Sequence, residues 1–368
     1  MDVPVPLAIP PTHAALRAGF RQARQTARAR HRDIAQALGV SEGELIAAHA
    51  GLFEVNESPL QARRLRAEWP QLIAALEPVG ELMALTRNES CVHEKVGVYR
   101  HASVSGPVGL VLGGAIDLRV FYRQWAHGFS VEERLSDGAV QRSLQFFDAQ
   151  GGALHKVFLR GDSDEAAYLA LVEQFAATRL SAGINVAALP VRAGETPDAD
   201  IDASGWRDAW AAMRDTHEFF GLMKRFGVTR TQGLRLAAPE YAQTVPGASA
   251  HELLARAAQE GVSIMVFVGN PGMIQIHSGP VQRVEVMGPW LNVLDAGFNL
   301  HLREDRIAQA WIVKKPTSDG LVHSLELFDA QGETIAMFFG ERKPGQAERC
   351  DWRNLLATLS PEVEACAA

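Results

Sequence analysis

The chain has 368 residues, 47% of them hydrophobic, enough for two domains of ordinary size, each burying its own core. A net charge of −7, from 36 basic and 43 acidic residues with no basic run, argues against a nucleic-acid partner. Three cysteines, Cys91, Cys350 and Cys366, lack the close spacing of a disulfide framework or zinc knuckle and fit a reducing cytoplasm, with Cys366 read as a free thiol in a small-residue tail.

Met1 to Pro11 carries Asp2 and four prolines instead of the basic start and apolar run of a secretory signal. Periodicity then predicts helices over Thr12–Arg32, Ser41–His49 and Leu60–Leu76. Short strands bounded by Gly, Pro, Asn and Asp follow through Val92–Phe147. The longest apolar stretch among them, Val108 to Ile116, is broken by glycines and too short to cross a bilayer, so the chain is not expected to be membrane-embedded.

Leu144-Gln145-Phe146-Phe147-Asp148-Ala149-Gln150-Gly151 returns as Leu325-Glu326-Leu327-Phe328-Asp329-Ala330-Gln331-Gly332, an offset of 329 − 148 = 181. Each copy runs an alternating strand into a turn signal and on into a second apolar run, Ala153–Leu159 or Thr334–Phe339, which reads as a β-hairpin. Asn88 and Gly97 are echoed by Asn270 and Gly279, so the repeated unit is a sheet of several strands. The fold class is therefore α+β, with two tandem repeats, each a large antiparallel sheet flanked by helices. Further helices are expected over Ser163–Leu180, Trp206–Phe226 and Ala250–Gln259, and further strands over Ser263–Phe339. The breaker-rich Pro190–Asp200 stretch divides the halves. The expected organisation is an N-terminal segment 1–30, a first repeat 31–189, a linker 190–205 and a second repeat 206–360.

In the helix expected after Ser204, a plausible cap, Trp206, Trp210, Met213, His217 and Phe220 recur at spacings of 4, 3, 4 and 3, and Gly227 is a typical exit. A titratable ring thus falls on an aromatic stripe. It is either a core histidine bonded to a carbonyl or an axial metal ligand whose apolar neighbours would suit a flat porphyrin; spacing alone leaves both open.

Asp215-Thr216-His217-Glu218-Phe219-Phe220-Gly221-Leu222-Met223-Lys224-Arg225, followed by Thr229-Arg230, resembles the proximal-ligand segment of the HemS/ChuS/HmuS-type haemin-degrading and cytoplasmic haem-transport family. Leu85-Thr86-Arg87-Asn88 with Val92-His93-Glu94-Lys95-Val96-Gly97, Gly288-Pro289-Trp290-Leu291-Asn292-Val293 and Val313-Lys314-Lys315-Pro316-Thr317 are similar to further family blocks in the same order. The resemblance spans nearly the whole chain after the first few dozen residues. It implies haem in a cleft between the repeats, His217 as axial iron ligand, and Arg230, Lys315 (or Lys314) and Arg342 as cations near the haem. Phe339 falls where the family pattern leads one to expect tyrosine and Met337 where it leads one to expect glutamine, which implies a drier distal wall around the haem. The distal arginine expected from the first half falls at Ser103, and Arg100 is its nearest substitute, assigned with His217 to the catalytic set. His93, His101, His127 and His277 read as fillers of half-buried strands.

The resemblance implies a cytoplasmic protein that takes up haem and supports its reductive, oxygen-dependent degradation with iron release, using an external electron donor. The alternative is a non-catalytic haem chaperone that delivers to a separate haem oxygenase. Implied partners are haem itself, the haem importer at the inner membrane, a haem oxygenase or a reductase. No His-Glu-x-x-His, P-loop or Gly-x-Ser-x-Gly pattern points elsewhere.

Overall fold

A computed structural model describes residues 11–26, 29–51, 58–178, 182–190, 194–343, 345–360 and 363–366. In chain order its elements begin with α1 (His13–Thr26), α2 (His31–Ala37), α3 (Glu42–Ala47), β1 (Leu60–Arg64), α4 (Trp69–Ala74), β2 (Gly80–Arg87), β3 (Cys91–Gly97), β4 (Ala102–Ser105), β5 (Val108–Leu112) and β6 (Asp117–Val120). They continue with β7 (His127–Arg134), β8 (Val140–Phe147), β9 (Ala153–Ser163), α5 (Glu165–Phe175), α6 (Ala203–Ala211), α7 (Glu218–Phe226), α8 (Arg230–Ala237), β10 (Ala242–Val245) and α9 (Ser249–Glu260). The last are β11 (Ile264–Asn270), β12 (Met273–Gly279), β13 (Val284–Met287), β14 (Trp290–Asp295), β15 (Phe298–Arg303), β16 (Gln309–Thr317), β17 (Gly320–Phe328), β18 (Thr334–Gly340) and α10 (Cys350–Leu359). None of the described helices is long and apolar enough to cross a membrane.

The chain forms two compact units. The first comprises Met1–Ala84, Val98–Gly109 and Val120–Leu189; the second comprises Leu85–Gly97, Leu110–Arg119 and Pro190–Ala368. The division at Leu189/Pro190 falls at the start of the expected linker, of which 191–193 lie outside the described residues, as do 1–10 and 27–28 of the expected N-terminal segment. Two pieces of the first sequence repeat nevertheless belong to the second unit, because β3 pairs with β15 and β6 with β12 there.

In the first unit the strands run β1-β7-β8-β9-β2, and α1, α2 and α3 pack Leu16, Phe20, Ile34, Leu45 and Ile46 against Leu60, Phe129, Val131 and Phe147. Residues 60–64 are a strand, not the start of the expected helix. Leu-Gln-Ala-Arg-Arg favours helix locally, but antiparallel pairing with β7 buries Leu60 and Ala62, and the helix begins only at Trp69, with Pro70 in its first turn. The expected helix Thr12–Arg32 is likewise two helices, α1 and α2; buried Glu133 binds Arg24 of α1 at 2.6 Å and His31 of α2 at 2.8 Å.

In the second unit the runs are β10-β16-β17-β18-β11-β12-β6-β5 and β3-β15-β14-β13. Both repeated hairpins form as expected, β8–β9 and β17–β18. In each turn an aspartate side chain holds the backbone: Asp148 accepts from Gln150 and Gly152, and Asp329 from Gln331 and Glu333. Gly151 and Gly332, at φ 80° and 77°, supply the left-handed residue those turns need. The Asn88/Asn270 echo also has a physical basis, since Asn88 donates to the Gly269 carbonyl at 3.1 Å and Asn270 donates to that of Arg87 at 2.9 Å.

Cys366 is not a free thiol but is bonded to Cys350, with Cα atoms 5.5 Å apart. The tail folds back because Val363 is buried and the Cys366 amide donates to Asn354. Cys91 is buried, and burial pushes its thiol far above the usual range.

His93 and His277 are buried, not half-buried. Lys95 Nζ donates to His277 Nδ1 at 2.8 Å, Gln275 Nε2 donates to His93 Nδ1 at 2.8 Å, and the His277 ring stacks on Phe298 at 3.8 Å. Burial, reinforced by the Lys95 charge, lowers His277 from 6.5 to about 3. Because the folded value lies below the unfolded one, the stability this residue contributes is whole above pH 6.5 and is lost as pH falls toward 3. By pH 4 the loss is on the order of 3 kcal/mol. The difference in urea midpoint between pH 7 and pH 4 is expected to shrink in His277→Gln; an unchanged difference would show that His277 does not carry it.

Candidate functional site

One face of the β16–β17–β18 ladder is core: Ile312, Leu325, Leu327, Ala336 and Phe338 bury into the principal hydrophobic cluster of the second unit. Strand alternation puts the intervening residues on the opposite face. These are Lys315 on β16, Ser324 and Glu326 on β17, and Met337 and Phe339 on β18, with Glu326 opposite Met337 and Ser324 opposite Phe339.

Glu326 is 0% exposed and accepts from Lys315 Nζ at 2.6 Å and from Arg230 Nε at 2.7 Å. Burial alone would raise its carboxyl, but the charges of Arg230 and Lys315 hold it well below the carboxylate range. Burial also lowers the Lys315 ammonium to about 8, although Glu326 works the other way. The Lys315 side chain is only 4% exposed. Arg230 opens α8, capped by Thr229, whose hydroxyl accepts from the Gln232 amide. Arg230 and Lys315 both lie over the Phe219 ring, at 5.0 and 4.8 Å from its centroid. The three charged groups sum to one positive charge.

The helix expected over Trp206–Phe226 is two helices, α6 and α7. Asp202, not Ser204, caps α6, accepting from the Gly205 amide. Trp206, Trp210 and Met213 are buried as the stripe requires, with Trp206 Nε1 donating to the Gly233 carbonyl at 2.9 Å and Trp210 Nε1 to that of Lys314 at 2.8 Å. The helix stops there, because the Asp215 carboxylate takes the His217 amide at 2.9 Å and the Arg214 carbonyl takes the Ser318 amide at 2.8 Å. When α7 begins after His217 its phase has moved: Phe219 packs inward against Trp206 and Trp210, and Phe220 is 74% exposed. Gly227 ends α7 at φ 65°, as its position in the sequence suggests.

His217 is therefore not a core histidine, its side chain being 89% exposed. Asp215 Oδ1 accepts from its Nδ1 at 2.6 Å, and among the described residues none bonds Nε2. Asp215 is held below its usual carboxyl value first by the bonds from the His217 amide and ring, and more weakly by the Arg342 charge. Arg342 is half-buried and loosely paired with Asp319 at 3.6 Å, on the β16–β17 turn where Ser318 anchors Arg214. His217, Asp215, Arg342, Arg230, Lys315 and Glu326 thus all belong to the second unit. Phe339 is half-buried, edge-on to Phe267 at 5.0 Å. Arg100 belongs to the first unit and is exposed before β4, as is Ser103 within it. Chemically, the arrangement offers an exposed imidazole with one nitrogen tied to a carboxylate and the other open, an exposed aromatic ring, Phe220, three positions along the chain, and a cation, Arg342, whose charge reaches Asp215.

Sequence reasoning missed Glu326, Asp215 and Phe219. Glu326 stood inside the repeat motif as a charge in an otherwise apolar strand, a legible signal; the inward turn of Phe219 depends on the helix break and has no comparable one.

The first unit repeats this frame with other charges. Phe129 opposite Gln145 corresponds to Trp311 opposite Glu326, so Gln145 stands for Glu326, Glu133 for Lys315 and Lys156 for Met337. Glu133 there binds Arg24 and His31, and Lys156 pairs with Glu42, the first residue of α3.

The model of the haemin-degrading HemS.ChuX domain matches residues 39–175 and again 227–359. The hemin transport protein HemS of Yersinia enterocolitica is 41% identical over 330 residues, covering 89% of this chain and 92% of that protein. Holo-PhuS, a heme-binding protein from Pseudomonas aeruginosa, superposes with a TM-score of 0.89 at 44% identity, covering 96% of this chain and 99% of the other. The heme degrading enzyme ChuS of Escherichia coli O157:H7 superposes with a TM-score of 0.84 at 38% identity, covering 94% and 99%.

Proposed function

The chain belongs to the haemin-degrading HemS/ChuX domain family, and on that premise we propose that it is a cytoplasmic haem carrier that binds one haem through His217 and hands it to a haem-consuming acceptor. The observation that carries this reading is His217 at the start of α7: exposed, with Nδ1 tied to Asp215 and Nε2 open. An iron porphyrin needs that donor and an apolar neighbour, and exposed Phe220, three positions on, supplies the latter. Arg342 is the cation able to turn toward a propionate, while Lys315 acts from behind, through Glu326 and Arg230.

Carriage is favoured over ring opening by the site's polarity. Met337 and Phe339 offer no strong donor, and Lys315 and Arg230 are both engaged by Glu326. A carrier needs reversible ligation; degradation also needs donors that steer dioxygen. One haem per chain is expected because the equivalent first-unit positions bear Glu133 and a Lys156–Glu42 pair in place of Lys315 and Met337.

The test is to titrate the protein with ferric haem, then add ascorbate in air with catalase present. Saturation at one haem per chain and a Soret band that persists support the proposal. A second equivalent retained by His217→Ala would overturn the stoichiometry, and band loss with a ring-opened product and freed iron would make the protein a haem-degrading enzyme.

A further inference from the structure

We infer that Asp215 is a positioning residue for His217: its carboxylate fixes the imidazole with the proton on Nδ1 and the lone pair on Nε2, aimed outward as a pre-set metal donor. This rests on the proposed ligation by His217, but its first consequence is a property of the protein without haem.

Three contacts converge on the assignment. Asp215 Oδ1 lies 2.6 Å from His217 Nδ1 and 2.9 Å from the His217 amide, so one oxygen holds both ring and backbone. Such a double hold limits rotation of an otherwise solvent-exposed side chain. The segment carrying the pair is itself anchored, because Ser318 donates to the Arg214 carbonyl at 2.8 Å and Met213 is buried next to Trp210. A carboxylate only accepts, so the nitrogen facing it must carry the proton, and in a neutral ring the other nitrogen is then the acceptor. The carboxylate's negative charge also makes the ring a stronger donor to a cation at Nε2, the logic of a carboxylate–histidine–metal arrangement. Ferric iron, with the higher charge, gains more from this than ferrous iron, so the pair favours the ferric complex.

Imidazole nitrogen shifts of apo protein labelled in its histidines, with His217 assigned by its loss in His217→Ala, read the tautomer directly at alkaline pH. The wild type is expected with the proton on Nδ1 and Asp215→Ala with it largely on Nε2. With ferric haem added, Asp215→Ala is expected to bind 10- to 100-fold more weakly, with a lower iron–histidine stretching frequency and a higher reduction potential. Asp215→Asn, which lacks the charge and can present an N–H to Nδ1 in place of the acceptor, should lose the frequency and potential effects and weaken the preference for the Nδ1 proton. A wild-type ring protonated on Nε2, or an Asp215→Ala complex with unchanged affinity and stretching frequency, would overturn the inference. If His217→Ala abolishes the native complex while Asp215→Ala leaves it untouched, only the role of Asp215 falls; if His217→Ala binds haem as the wild type does, the ligation itself falls and this role with it.

Discussion

Replacing His217 by alanine is expected to weaken ferric haem binding by at least about 100-fold, or roughly 2.8 kcal/mol, and to shift the Soret band, with almost no change in folding stability. The two halves of this expectation come from the same geometry. The side chain is 89% exposed, makes no capping bond to α7 and packs in no core cluster, so its loss should cost the fold no more than about 0.5 kcal/mol. Its open Nε2 is the donor proposed for the iron, so binding has no substitute at that position. Equilibrium titration and thermal melting of one preparation separate the two. A variant that melts as the wild type does but has lost the spectrum supports ligation, whereas an unchanged spectrum would mean that iron is held elsewhere.

The Glu326→Gln substitution should do the reverse and destabilise the second unit by about 3–5 kcal/mol. Glu326 is fully buried between Lys315 and Arg230, so a neutral amide leaves two cations facing each other with no compensating charge. Its depressed carboxyl gives stability that is whole above the unfolded value of 4.5 and is lost as pH falls below it. The substitution should therefore also remove part of the acid sensitivity. Replacing the whole triad, as Glu326→Leu with Lys315→Met and Arg230→Met, is expected to recover much of the loss, because a buried ion cluster exchanged for well-packed apolar groups is often neutral or better. Urea unfolding at neutral pH measures the loss and the recovery, and its repetition at about pH 4 the acid sensitivity; a loss below about 1 kcal/mol in Glu326→Gln would contradict the buried triad.

The hairpins and the doubled sheet were legible because strand alternation and the Asp-Ala-Gln-Gly turn are local signals, each satisfied by its own aspartate. Leu60–Arg64 was not, since its helix-forming composition is overridden by a non-local pairing with β7. The stripe from Trp206 was read correctly through Met213 and failed at Asp215, where a side chain bonding two residues ahead breaks the helical phase. That failure affected the site most. It put in solvent a histidine that the stripe had left open as either core residue or ligand, and exchanged Phe220 for Phe219 as the core aromatic. The Cys350–Cys366 bond, 16 residues apart in sequence, depends on the tail folding back and has no spacing signature.

The most direct test of the proposed ligation is a crystal structure of the chain with haem bound. Iron bonded to His217 Nε2, with Asp215 still on Nδ1 and a single haem per chain, is the predicted result. Iron held by another histidine, or a haem bound in the first unit with His217 left in solvent, would contradict it.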